Sequence, residues 1–385
     1  MKLTILQENL IKGLNIADRI SIKSPTLPIL NNVLLISEKN FLKLSATNLE
    51  IGINWWALAK VENEGGVVIP TKILASFISF LGGKKINLET KNNNLFIESE
   101  DYKSQIKGFS AEEFPIIPKI SDENYILVDN VSFCQSLGQI VDIPMPSSAR
   151  PEISGIFLQF KKDLITMTAT DSFRLGERKL FLKNSQKEGG SFGPKEFALI
   201  LPQRAAKEII NIFGERQGQI KIYFSPNQVM FECSLAETPH PQIQLLSRLI
   251  EGDYPNYQEI IPKKFETQMV LDKNEFLNQI KIASLFSGRV NEIKFKVDLK
   301  GQKIQISSQN PELGDYQSLL PGKIKGDSFE ASFNHRFLVD GLSNIKSSEV
   351  ILELNKKAGG EIGPGVIRPV GDETYVYVVM PMGAS

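Results

Sequence analysis

The chain has 385 residues, 42% of them hydrophobic, with 44 Lys plus Arg balanced by 44 Asp plus Glu. That size and apolar content can fill several cores, while the zero formal net charge excludes the bulk basicity behind tight nonspecific nucleic-acid binding. Two cysteines, Cys134 and Cys233, make neither a disulfide framework nor a zinc motif, so a reducing cytoplasm is the expected compartment. No run approaches the roughly 18 apolar residues of a membrane helix, and the apolar residues after Lys2 are too few for a signal segment. A soluble protein with no membrane partner is expected.

In chain order the same elements come round three times. A short strand at Leu3 to Leu6 leads into an amphipathic helix from Glu8 to Ile20, then a strand pair ending on Ala46-Thr47-Asn48. After Tyr125 to Val128 the pattern repeats: a helical Val131 to Ile143 and a strand pair with Ala169-Thr170-Asp171 at its turn. A third copy runs from Phe265 to Leu271 through a helical Lys273 to Phe286 to strands closing on Ser307-Ser308-Gln309. Each copy then has an apolar strand, a polar or Pro stop and a second helix: VVIPTKILASFISFL, ALILPQRAAKEIINIF and ASFNHRFLVDGLSNI. Apolar spacing of i, i+3, i+4 in the helices and period two in the strands gives an α+β class. Phe114-Pro115-Ile116-Ile117-Pro118 and Tyr254 to Pro262 read as extended connectors. The expected domains are therefore residues 1–122, 123–263 and 264–385, each about 120 to 140 residues, the size of an independent domain and far beyond a solenoid repeat.

Catalytic chemistry is sparse. The two histidines, His240 and His335, lie in different repeats with no second ligand at metal-binding spacing, so no metal site is expected. No phosphate-binding glycine loop occurs; Gly65-Gly66, Gly82-Gly83 and Gly189-Gly190 read as turns and helix ends. Thr170-Asp171-Ser172-Phe173-Arg174 gathers a hydroxyl, a carboxylate and a guanidinium, yet nothing nearby supplies an acid-base partner. No cofactor and no enzymatic activity are expected.

Several segments, in this order and with the triplication, resemble the bacterial sliding clamp family, the β subunits of DNA polymerase III. They are Pro25-Thr26-Leu27-Pro28-Ile29-Leu30, Thr47-Asn48-Leu49-Glu50, Ala169-Thr170-Asp171 with Arg174-Leu175, Gly252 to Tyr257, and Tyr377 to Met382. The resemblance implies three repeated clamp domains per chain, with helices inside and antiparallel sheets outside, closing head to tail as a homodimeric ring. Two helices per repeat would line the hole with twelve, spaced about 10 Å apart, leaving roughly 28 Å free for duplex DNA. It implies a processivity factor that tethers the DNA polymerase III catalytic subunit, the clamp loader and other proteins carrying a clamp-binding motif.

Site residues follow position by position from the resemblance. A partner-peptide cleft would comprise Ile153, Thr170, Ser172, Phe173, Arg174, Leu175, Pro255, Ile260, Val378, Met380, Pro381 and Met382. Methionines suit such a surface because they adapt to varied apolar guests. By the resemblance Lys72, Arg150 and Arg204 match basic positions that touch DNA, and Lys23 lies one place before Ser24, where clamps commonly carry Arg. Lys12, Lys207, Lys281 and Arg336, with Arg19 and Lys346, fall on or beside the predicted helices where they too could face DNA; phosphate contacts of this kind position DNA without reading sequence. The dimer seam would pair the edge strand holding Lys103, Ile106 and Lys107 with the region of Glu312 and Asp315, over Ile73 and Phe77 meeting Leu285 and Phe286. Two other readings remain beside the clamp: an enzyme using the Asp171 and Arg174 neighbourhood, and an interaction scaffold that never encircles DNA.

Overall fold

The computed structural model describes residues 1–21, 24–83, 85–100, 102–120, 125–182, 196–235, 240–356 and 361–383. Lys23, and the chain end at Ala384 and Ser385, lie outside the described residues. Among those described are six α-helices: α1 Gln7–Ile20, α2 Thr71–Phe80, α3 Asn130–Gly138, α4 Gln203–Phe213, α5 Lys273–Ser284 and α6 His335–Ser343. Each first helix of a repeat follows a strand without a loop: Lys2–Leu6 runs into α1, Tyr125–Asp129 into α3 and Thr267–Asp272 into α5. The second helices do the same, Gly65–Pro70 running into α2, Phe197–Pro202 into α4 and Glu330–Asn334 into α6. Polar caps mark two of these starts. Asp272 accepts the Glu275 amide at 2.8 Å and Asn334 the Arg336 amide at 3.0 Å, each satisfying an otherwise orphaned helix donor.

One helix is shorter than its apolar spacing predicts. The pattern runs to Ile143, but α3 stops at Gly138 and the chain continues in turns. Gly138 weakens the helix, and Pro144 turns the residue before it away from helical geometry. The irregular path lets Ile140 and Ile143 close over Gly176, where an added Cβ would sit 2.5 Å from Ile143. The apolar periodicity there reports burial, not helix.

The strands form antiparallel sheets of twelve, nine and four strands among the described residues. Main-chain pairing crosses the repeat boundaries. Strand Ile51–Asn63 of the first repeat pairs with Pro241–Arg248 of the second, Ile53 opposite Leu245, and strand Arg174–Phe181 of the second pairs with Tyr375–Val379 of the third, Leu175 opposite Val378. The second repeat therefore contributes strands to two sheets. By contacts the chain divides into two compact units, Met1–Val131 with Glu208–Leu249, and Ser132–Lys183 with Glu196–Lys207 and Ile250–Ser385, and the cut passes through that second repeat.

Each unit has its own core. In the first, Leu10, Leu14 and Ala17 of α1 are buried against the sheet beside Trp55. In the second, Phe276 of α5, Phe295 and Phe333 stack in tilted pairs at 5.6 and 5.5 Å, and such aromatic pairs add to their area burial.

Gly13 sits in the middle of α1, where glycine costs about 1 kcal/mol relative to alanine, because the helix backbone lies on the indole of Trp55: a Cβ would approach Trp55 Cδ1 to 2.5 Å. Gly13→Ala should therefore destabilise by about 1 to 3 kcal/mol despite its better helix propensity. Thermal unfolding should show a lower midpoint; an unchanged or higher one would mean that the indole yields at no cost.

Candidate partner-peptide cleft

The cleft is built from a tight turn. Between strands Leu164–Thr170 and Arg174–Phe181, Thr170 Oγ1 donates to Arg174 O at 2.7 Å, and Asp171 Oδ1 accepts the amides of Phe173 and Arg174 at 3.0 and 2.9 Å. These side chains reinforce the main-chain turn bond from the Asp171 amide to Arg174 O at 3.3 Å, and Ser172 sits at φ 77. The turn leaves Phe173 62% exposed at its tip. The chain end then docks on it: the Met380 amide donates to Phe173 O at 2.8 Å and the Met382 amide to Ser332 O at 2.8 Å.

Arg174 points inward from this turn and is buried. Its Nε donates to Asp171 at 2.9 Å, its Nη1 to Asp340 of α6 and its Nη2 to Asp142 O at 3.2 Å. The guanidinium also lies 4.8 Å from the Phe337 ring centre, a cation–π contact, and Phe173 stacks on the outer side at 6.3 Å from Phe337. Burial alone would pull the Arg174 pKa down, but Tyr377, Asp340 and Asp171 hold it above its ordinary value. Helix α6 is fixed from behind as well, since Tyr377 Oη donates to Phe337 O at 2.7 Å and a Cβ on Gly341 would lie 2.5 Å from the Tyr377 ring.

Under the turn lies one apolar cluster: Leu175, Tyr257, Val366, Val376 and Val378, with Phe157, Tyr254, Ile261 and Phe265 packed against it. Phe157 and Tyr254 stack at 4.8 Å, and burial pushes the Tyr257 hydroxyl up to about 12. The predicted residues thus divide by depth. Ile153, Thr170, Arg174, Leu175 and Val378 are buried floor; Pro255, Met380, Pro381 and Met382 are half-buried; Ser172, Phe173 and Ile260 are exposed rim. A hollow of about 510 Å³ continues on the same sheet face past Val376, Ile261 and Phe265. Most of its charges are already paired, Lys179 with Glu177 at 3.3 Å, Lys161 with Glu196 at 3.7 Å and Arg368 with Glu353 at 3.0 Å.

Sequence reasoning missed Phe337 and Asp340 here. Their i, i+3 spacing on α6 marks one face, but nothing local says which turn that face meets. It also left Arg174 free to bind a guest; instead most of its donors are taken by this chain's own acceptors.

The chain matches three families end to end: the N-terminal, central and C-terminal domains of the DNA polymerase III beta subunit, at residues 1–118, 132–256 and 258–383. The chain belongs to the beta sliding clamp family. It is 26% identical to the "Beta sliding clamp" of Synechocystis sp. over 398 residues, 99% of each chain, and 26% identical to that of Staphylococcus aureus over 394 residues, again 99% of each. The sliding clamp structure from Bacillus subtilis has a TM-score of 0.90 at 24% identity, covering 100% of both chains. A Pseudomonas aeruginosa clamp bound to griselimycin has a TM-score of 0.89 at 20% identity, also covering 100% of both.

On this clamp-family chain the remaining predicted residues fall as follows. Lys12, Lys72, Arg204, Lys281 and Arg336 are exposed on helices. Lys207 pairs with Asp142 at 2.8 Å, and Arg19 with Glu208 at 2.9 Å. Arg150 lies by the cleft turn, with its Nη1 3.3 Å from Ser172 Oγ and its Nε 3.2 Å from Glu152. Strand Tyr102–Lys107 is one edge of the twelve-stranded sheet, and strand Gly314–Pro321 one edge of the four-stranded sheet. Ile73 and Leu285 are 58% and 67% exposed, Phe77 is half-buried, and Phe286 stacks on Tyr316 at 6.1 Å. Lys107, Glu312 and Asp315 are exposed. Ile106 is buried in its own chain, and the exposed Lys103 is paired with Glu98 on the adjacent strand at 2.7 Å, which raises its pKa.

Replacing Arg174 by Ala would strand the Asp171 carboxylate, whose side chain is only 3% exposed. Removing one partner of a buried pair costs about 3 to 5 kcal/mol. Arg174→Ala should lower the urea midpoint accordingly; a loss below about 1 kcal/mol would show that solvent reaches Asp171.

Proposed function

We propose that this clamp-family chain closes with a second copy into a head-to-tail ring around duplex DNA and tethers partner proteins through the cleft at Leu175, Val378 and Met380. Each chain contributes three domains, residues 1–122, 123–263 and 264–385. The observation that carries the ring is a pair of unsatisfied strand edges, Tyr102–Lys107 and Gly314–Pro321, one in each compact unit. Open edges invite pairing, and exposed Ile73 and Leu285 supply apolar area beside them. Lys107, and Lys103 beside its surface partner Glu98, offer positive charge to meet Glu312 and Asp315. Surface pairs of this sort contribute only about 0 to 1 kcal/mol, so the apolar layer carries the association.

DNA is held by topology. The charge balance of 44 against 44 gives no strong general attraction, and the exposed helix cations offer weak phosphate contacts that let a ring slide. The cleft takes the apolar and aromatic end of a short motif from the polymerase catalytic subunit, the clamp loader or other partners. The protein is cytoplasmic and performs no catalysis; Arg174 and Asp171 are spent on each other.

The native chain should sediment at about twice its mass at micromolar concentration, and Leu285→Ala with Phe286→Ala should yield monomers, whereas an intact double-mutant dimer would place the seam elsewhere. Clamps loaded on circular DNA should slide off after linearisation; equal retention on both forms would argue for ordinary binding. Truncating a central anchor commonly costs more than about 1 kcal/mol. Leu175→Ala or Met380→Ala should therefore weaken a fluorescent tail peptide several-fold or more without splitting the dimer. Unchanged affinity in both would move the partner site off this cleft.

A further inference from the structure

The turn that builds the cleft occurs twice. In the first repeat Thr47 Oγ1 donates to Ile51 O at 2.9 Å, Asn48 Oδ1 accepts the amides of Glu50 and Ile51 at 3.0 and 2.7 Å, and Leu49 sits at φ 73. These are the bonds of Thr170, Asp171 and Ser172, residue for residue. The neighbouring strand matches as well. Arg248 N donates to Glu50 O at 2.9 Å where Met380 N donates to Phe173 O at 2.8 Å, and Ser247 opposite Ile51 and Leu246 opposite Gly52 stand for Val379 opposite Arg174 and Val378 opposite Leu175. Each scaffold lies inside one compact unit.

The two part at one position. Where the second repeat has the buried Leu175, the first has Gly52, and a Cβ there would lie 2.7 Å from Ile117 Cγ2. The Ile117 side chain therefore fills the space over Gly52. Ile117 belongs to the short connector Phe114 to Pro118, counterpart of Tyr254 to Pro262. The longer connector forms a helical turn at Tyr257–Glu259 and leaves Ile260 43% exposed on the rim. The shorter one lays its own side chain onto the floor. Around that seat, Met230 and Leu246 are buried and Leu49 is 45% exposed, an apolar lining of the same kind as the partner cleft.

We propose that Ile117 is an internal guest that closes a second, quasi-equivalent peptide cleft in the first repeat, so that each chain admits partner peptides at one cleft only. The inference rests on the reading of the Leu175 and Met380 cleft given above. Geometry explains the asymmetry: a glycine makes room for the connector's isoleucine, and a covalently tethered guest competes at high effective concentration with any peptide in solution.

The test uses the full-length chain and a synthetic peptide with an apolar and aromatic end carrying a photoreactive group. Native protein should bind one peptide per chain and crosslink only around residues 254–262 and 378–382. Ile117→Ala should add a second site, weaker by at least about ten-fold, crosslinking to 47–52 or 246–248, and Ile117→Ala combined with Met380→Ala should raise that new site's share of the crosslinks above its share in Ile117→Ala alone. Should Ile117→Ala lose its native mass or melting transition, Gly52→Ala provides the second route, because it keeps Ile117 but pushes it off its seat and should expose the same segments. No crosslink to either segment in a folded variant overturns the plug. Failure of the native chain to bind any peptide would instead overturn the reading of the main cleft.

Discussion

Antiparallel main-chain pairing across repeat boundaries is the constraint from which the rest of the molecule follows. Strand Ile51–Asn63 meets Pro241–Arg248, and strand Arg174–Phe181 meets Tyr375–Val379. In such a ladder alternate residues exchange both main-chain hydrogen bonds with a partner distant in sequence, and a one-residue slip would turn each side chain to the wrong face. Register therefore decides what sits where. Leu175 opposite Val378 makes an apolar floor; Leu246 opposite Gly52 leaves a gap for the connector. The same pairing explains why the contact-defined units cut through the second repeat, whose strands are shared between two sheets.

Polar chemistry in the cleft is structural. Thr170, Asp171 and Arg174 spend their hydrogen-bonding capacity on the turn, on each other and on Asp340. A buried charge left unpaired would be expensive, so the guanidinium is useful here as a rigid post beneath Phe337 and Phe173. What the turn presents outward is aromatic and apolar. Rigid rings stand over an apolar floor beside half-buried methionines, a composition that suits the peptide cleft proposed above.

Net charge of zero and a few unpaired helix cations suit a protein that must stay on DNA without stopping. Tight phosphate binding would make retention fall steeply with salt. On the ring proposed above, retention depends on the strength of the protein–protein contact and not on phosphate binding; Ile73 and Leu285 are exposed apolar residues, and Tyr102–Lys107 and Gly314–Pro321 are sheet edges. Ile106, by contrast, is buried in its own sheet, while Lys103 stays exposed in a surface pair with Glu98.

Much of this was legible in the sequence because it depends on local periodicity. The helices α1, α2, α4, α5 and α6 fall where the spacing of apolar residues places them, and the Thr-Asn and Thr-Asp steps mark turns through side chains that bond their own neighbours. The triplication, the α+β class and the family could all be read without coordinates. Where local and tertiary demands diverged, the sequence misled: the apolar run to Ile143 looks helical because burial over Gly176 requires the same residue types as a helix face. Only the tertiary structure decided that Arg174 is locked to Asp340, that Phe337 stands over it, and that Ile117 lies on Gly52. Those contacts join residues far apart in the chain, and their partners are chosen by strand register, which the pattern of any single segment does not contain.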